Sequence, residues 1–149
     1  MGEQTVTAEQ PPLDIVAPTD IARLVEDVGV RKVRLGVVTT LTLGILAGAF
    51  IAFGAMFHTV VITESALGYG PTLLLGGLAF SLGLVLVIIG GAELFTGNSL
   101  IVMAWASRRI GLAAVLRNWG LVYAGNLIGA TGIALLVHAA QALSLGGGS

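Results

Sequence analysis

Gly90-Gly91-Ala92-Glu93-Leu94-Phe95-Thr96-Gly97-Asn98-Ser99 interrupts the most apolar part of the chain. Two glycines open it and a Gly-Asn pair closes it, both of them helix-breaking signals, and a carboxylate sits between. From Pro71 to Ser107 that carboxylate, Glu93, is the only charge. As one unbroken helix this segment would run about 55 Å, well beyond the roughly 30 Å of hydrocarbon in a bilayer. The sequence therefore predicts a half-helix over about 71–89, a short irregular loop, and a second half-helix over about 98–107. Non-helical backbone at membrane depth is tolerated only where protein buries it or water reaches it, so the loop is expected to line a path or a site. It also places a helix N-terminus inside the membrane, with Asn98 or Ser99 as its cap. Free N–H groups and the positive dipole end there favour an anion.

The rest of the chain fits a membrane setting. Of 149 residues, 56% are hydrophobic and 10% charged, with a mean hydropathy of +0.97. A soluble domain carries about 25% charged residues. Ten of the fifteen charges lie at or before Arg34, a distribution that excludes a nucleic-acid-binding domain, which needs basic clusters facing phosphate. The absence of cysteine excludes a disulfide-framed secreted domain. The first twenty residues hold no basic residue leading into an apolar run, so no cleaved signal peptide is expected.

An uncharged run from Arg34 to Glu64, another from Glu64 to Glu93, and an uncharged chain after Arg117 give three spans. Each run is long enough to cross a bilayer once and too short to cross it twice. The spans are placed at about 35–57, 71–107 (broken near 90–98) and 118–140. The expected fold is an all-α integral membrane bundle. Every basic residue precedes the first span or lies between the second and third, which predicts a cytoplasmic N-terminus and an external C-terminus in the cell membrane. Trp105 and Trp119 near the inner boundary and Tyr69 near the outer one agree.

Residues 1–17 read as a disordered tail and 18–34 as an amphipathic cytoplasmic helix. There Ile21, Leu24, Val25 and Val28 recur at i, i+3, i+4 and i+7, lying along the membrane or against a neighbour. Within the spans, Gly44, Gly48 and Ala52 form one flat strip and Gly125 and Gly129 another, suited to packing within the chain or between copies. An ionised Glu93 facing an anion path would repel the anion. It is therefore expected to turn away and accept loop N–H hydrogen bonds, or to be protonated. The Thr96 hydroxyl suits a weak uncharged contact with a passing ion, or else satisfies a loop carbonyl.

Residues 91–98 of the broken stretch, together with Arg117-Asn118-Trp119, Val122-Tyr123-Ala124-Gly125-Asn126-Leu127-Ile128-Gly129-Ala130, residues 47–54 and Phe80-Ser81-Leu82-Gly83-Leu84, resemble the formate/nitrite transporter family. The resemblance runs from about Thr19 to about Gln141. It implies one inverted repeat of an aquaporin-like fold that carries small monovalent anions (formate, nitrite or hydrosulfide) as a homo-pentamer with one pore per protomer. It places Leu84 and Leu94 at a cytoplasmic-side constriction, Phe80 at an outer one, Phe95 along the path and Thr96 beside the central site. Gly91, Glu93, Gly97, Asn98 and Ser99 then shape the loop and cap the half-helix. Apolar constrictions exclude a bare anion far more strongly than its neutral acid, so proton-coupled passage is expected.

The family has six spans in two inverted halves and this chain supplies three. The central histidine facing Thr96 belongs to the other half; His58 and His138, near outer span ends, are not expected to replace it. A partial and inactive chain is the expectation. The competing reading is a non-conducting membrane scaffold that binds partner helices through its glycine strips. No nucleophile and base pair, metal cluster or phosphate loop is visible, so no enzyme, metal, cofactor or nucleic-acid partner is expected.

Overall fold

A computed structural model describes residues 17–140. They form six helices: α1 (Pro18–Val33), α2 (Val37–Ile62), α3 (Tyr69–Ile89), α4 (Phe95–Asn98), α5 (Ile101–Ala106) and α6 (Leu112–Ala139). The tail expected over 1–17 lies, apart from Ala17, outside the described residues. Three helices, α2, α3 and α6, are long and apolar enough to cross a membrane. Leu74, Ile88, Ile89, Leu135 and Leu136 are each more than 60% exposed, the surface of a bundle solvated by lipid or by other helices rather than by water.

α2 is the centre of the bundle, with α6 on one side and α3 on the other. Both contacts run through glycine. A Cβ on Gly129 would stand 2.0 Å from the Ile45 carbonyl oxygen, and one on Gly48 2.1 Å from that of Asn126. Gly44 and Gly125 meet backbone to backbone at the same crossing. The two strips left open by the sequence thus pack on each other. On the other side Gly54 and Gly83 interlock: a Cβ on either would be 2.7 Å from a carbonyl oxygen, of Phe80 and Phe50 respectively. Close backbone approach adds dispersion contacts where lipid offers no hydrophobic drive.

α6 begins at Leu112, so Arg117 lies within it rather than ahead of it, and α2 runs to Ile62, past the expected limit at 57. A helix satisfies its own backbone hydrogen bonds in any solvent, so it need not stop where the hydrocarbon does. A long arginine stem reaches the interface from inside a helix.

The second span ends in a Schellman motif. Gly91 donates to the Ile88 carbonyl and Ala92 to that of Val87, with Gly91 in the left-handed region at φ 58°, a conformation that favours glycine. The chain then runs extended through Leu94 and turns helical again at Phe95. Ala92 and Leu94 pack with Ala47, Phe50, Ile51 and Val87, which seats the break against the middle of α2. The amphipathic α1 lies against α5, its buried Gly29 close to Ala104. Ser107 and Arg109, beyond α5, bond to Glu26 and Asp27 on α1.

Candidate functional site

The break is held by three side chains from helices distant in sequence. Glu93 is 5% exposed, and its backbone N–H donates to the Leu43 carbonyl of α2 at 3.1 Å. Its carboxylate accepts from Lys32 Nζ at 2.9 Å and from Asn98 Nδ2 at 2.6 Å. The expectation that it would accept loop N–H bonds holds for the Asn98 side-chain amide alone and is corrected for the other donor, which is an ammonium group from outside the loop. The junction between α1 and α2 brings an ammonium group beneath the loop, and a buried carboxylate is satisfied far better by an opposite charge than by neutral donors.

Asn98 is fully buried and is the hub of the cluster. Its Nδ2 donates to Glu93 and to Asn118 Oδ1 of α6 at 2.9 Å, and its Oδ1 accepts from Lys32 at 2.7 Å. Trp119 Nε1 donates to its carbonyl at 2.9 Å. Asn98 is therefore not the cap of the second half-helix, and neither is Ser99, whose hydroxyl donates to the Thr96 carbonyl. The helix starts earlier, at Phe95. Its first N–H, that of Phe95, donates to Asn126 Oδ1 of α6 at 2.9 Å, while Asn126 Nδ2 donates to the carbonyls of Gly44 and Glu93. One asparagine across the bundle so supplies the cap, satisfies the Glu93 carbonyl at the break and ties both to α2 at Gly44.

Beside this scaffold lies an open cavity of about 470 Å³. Leu84 of α3, Leu94, Thr96 and Gly97 line it, as do Gly91, Lys32 and Glu93. The Thr96 and Gly97 backbone N–H groups have no hydrogen-bond partner among the described residues. A small polar rim with two leucines thus surrounds a helix start, with the Lys32–Glu93 pair at its edge.

Of the residues expected on the path, Leu84, Leu94 and Thr96 come together at this cavity. Phe80 stands one turn before Leu84 on the same face of α3, farther from the break, 41% exposed and edge-on to His58. Phe95 is not brought to the cavity: its ring packs on Trp119 and Tyr123 of α6, with centroids 6.1 and 5.7 Å apart. The fixed N–H at Asn126 turns that residue toward α6.

Sequence reasoning missed Lys32, Asn118 and Asn126 as members of the site. Lys32 counted only toward topology. The asparagines carried a usable signal, since an uncharged amide within a span must find partners, and Asn118, Val122, Gly125 and Gly129 fall on one buried helix face.

A bundle of three membrane-crossing helices, one of them followed by a braced break and a short second half-helix, defines a multi-pass membrane protein of the interrupted-helix transporter class. The chain belongs to the formate/nitrite transporter family, whose family model matches residues 19–148. It is 40% identical over 127 residues to the formate channel FocA of Escherichia coli K12, an alignment covering 85% of this chain and 45% of that protein. It is also 40% identical over 119 residues to the uncharacterized transporter YrhG of Bacillus subtilis, covering 78% and 45%. A probable formate transporter of Methanothermobacter thermautotrophicus is 34% identical over 131 residues, covering 85% and 48%. The chain spans about half the length of the curated relatives it matches.

Proposed function

We propose that this chain forms one half of the wall of a membrane pore for small monovalent anions of the formate, nitrite or hydrosulfide class. The observation that carries the reading is the cavity at the break, where Thr96 and two unbonded backbone N–H groups meet the apolar side chains of Leu84 and Leu94. Donors at a helix start attract an anion, and a leucine constriction penalises the bare ion while admitting its neutral acid. Passage is accordingly coupled to a proton. The chain sits in the cell membrane with its N-terminus in the cytoplasm, on the charge asymmetry of its loops. Copies associate as a homo-oligomer, a pentamer on the family resemblance.

Half of such a wall does not enclose a pore, so the chain alone is inactive. Reconstituted in proteoliposomes with a pH gradient, it is expected to take up no formate. Joined to the second three-span half of a formate channel it is expected to conduct, and Thr96→Val is expected to slow that flux. Uptake by the chain alone would refute the half-wall reading, and a joined pore indifferent to Thr96→Val would refute the site. The scaffold reading rested on free glycine strips, and Gly44, Gly48, Gly125 and Gly129 are occupied by the α2–α6 crossing itself.

A further inference from the structure

We infer that His58 sets the orientation of the Phe80 ring according to its own charge, making the outer end of the path responsive to external pH. This rests on the reading of Phe80 as the outer constriction. The sequence offers His58 no duty, but the α2–α3 crossing gives it one. Gly54 interlocks with Gly83, and one turn further along α2, on the same face, comes His58. Its half-buried ring lies over Gly76, where a Cβ would stand 2.9 Å from the imidazole Nδ1 and 2.7 Å from the Ile62 side chain. The missing side chain at Gly76 is what makes room for the ring. Held there, the imidazole meets Phe80 with centroids 6.5 Å apart and planes at 87°.

A neutral imidazole against a phenyl ring is an ordinary edge-to-face aromatic pair. A protonated one is a cation, attracted to the negative face of the phenyl ring and repelled by its positive edge. The preferred geometry of the pair therefore differs between the two charge states, and Phe80, 41% exposed, has room to move. Histidine is the side chain that ordinarily changes charge between pH 5 and 8. Around it, α3 carries only Tyr69, at its first turn. The α2–α3 connection carries only Glu64, and the outer half of α6 carries only His138. Among the described residues none of these is hydrogen-bonded or ion-paired to the His58 ring.

The test uses the full chain in lipid nanodiscs with fluorophenylalanine at its five phenylalanine positions, the Phe80 fluorine resonance being assigned by its loss in Phe80→Leu. The Phe80 resonance is expected to differ between acidic and alkaline buffers, and to become insensitive to pH in both His58→Gln and His58→Tyr. A resonance that does not titrate in the unmodified chain, or that titrates unchanged in either variant, would overturn the inference. Because the resonance is read without transport, it is decided separately from the pore reading. That reading instead fails if Phe80→Ala leaves anion flux through the joined pore unchanged.

Discussion

Lys32 Nζ lies 2.9 Å from Glu93 Oε1, so the last turn of the amphipathic helix α1 is fastened to the turn between two half-helices 61 residues away. The same ammonium reaches Asn98 Oδ1 at 2.7 Å, which makes the contact part of a network rather than an isolated pair. Glu93, the one charge between Pro71 and Ser107, is thereby neutralised by a cation from the C-terminal turn of α1.

Removing one partner of that pair strands the other in a poorly solvated site, at a typical loss of about 3–5 kcal/mol. Lys32→Met and Glu93→Gln are each expected to lower stability in detergent unfolding titrations, with the double variant losing less than the sum of the two. Strict additivity would show that the pair does not act as a unit.

Asn98→Ala is expected to be more damaging than its size suggests. It leaves the Glu93 carboxylate and the Asn118 amide each short of a partner, at about 1–3 kcal/mol per unsatisfied buried group. Asn98→Asp restores volume but sets a second carboxylate against Glu93, so it should not rescue. Full rescue by aspartate in thermal unfolding would contradict the hydrogen-bond assignment.

Asn126→Leu removes the donor and acceptor that close the break. Hydrogen exchange read by mass spectrometry is expected to accelerate in the segment containing Phe95, whose N–H loses its partner, while α2 and the C-terminal half of α6 stay protected. Unchanged exchange there would mean the second half-helix holds its start without α6.

Gly129→Ala places a methyl group where the Ile45 backbone already stands, and backbone cannot step aside. A loss of at least about 1–3 kcal/mol is expected. Gly132→Ala, on the same helix with open space around it, is the control and should be neutral or slightly stabilising. Equal melting temperatures for the two variants would remove the α2–α6 crossing from the account of stability.

The contact between α1 and the segment after α5 has two parts that differ in their response to salt. Arg109 with Glu26 and Asp27 is exposed, and the hydrogen bond it donates to the Asp27 carboxylate holds its guanidinium above the usual arginine value. A raised value means the cation is lost only far above any working pH, so alkaline conditions do not release it. Salt screens such exposed pairs, whereas the Lys32–Glu93 bond is sheltered. The chain has no cysteine, so a single pair of introduced labels reads the distance. At about 1 M salt, where the screening length falls to about 3 Å, the Ala22-to-Arg108 separation is expected to widen, and in Lys32→Met to widen further. A distance insensitive to both would refute the two-part latch.

Much of the architecture was legible in the chain. The length argument over residues 71–107 required an interruption, and Gly90-Gly91 located the end of the first half-helix because a left-handed residue at position 91 favours glycine. The start of the second is set at Phe95 rather than at Asn98. Asn98 has the chemistry of a cap, and local sequence cannot reveal that Asn126, on a different helix, takes that duty instead. The glycine strips announced close packing without naming partners. On the α3 side, Gly76, Gly83 and Gly90 recur every seven residues and all face α2, a repeat longer than the four-residue spacing that marked the other two strips.

The sequence by itself determined that this is a membrane bundle with three crossings, a broken middle span and one carboxylate at the break. Those are consequences of hydrocarbon thickness, helix rise and the cost of charge, all of which act on residues close together in the chain. Only the tertiary structure decided that Lys32 answers Glu93, that Asn98 is a hub, that Asn126 caps Phe95 and that His58 leans on Phe80. Each of those pairings joins different elements of the chain, and the crossing of packed helices, which no local pattern encodes, brings them within reach.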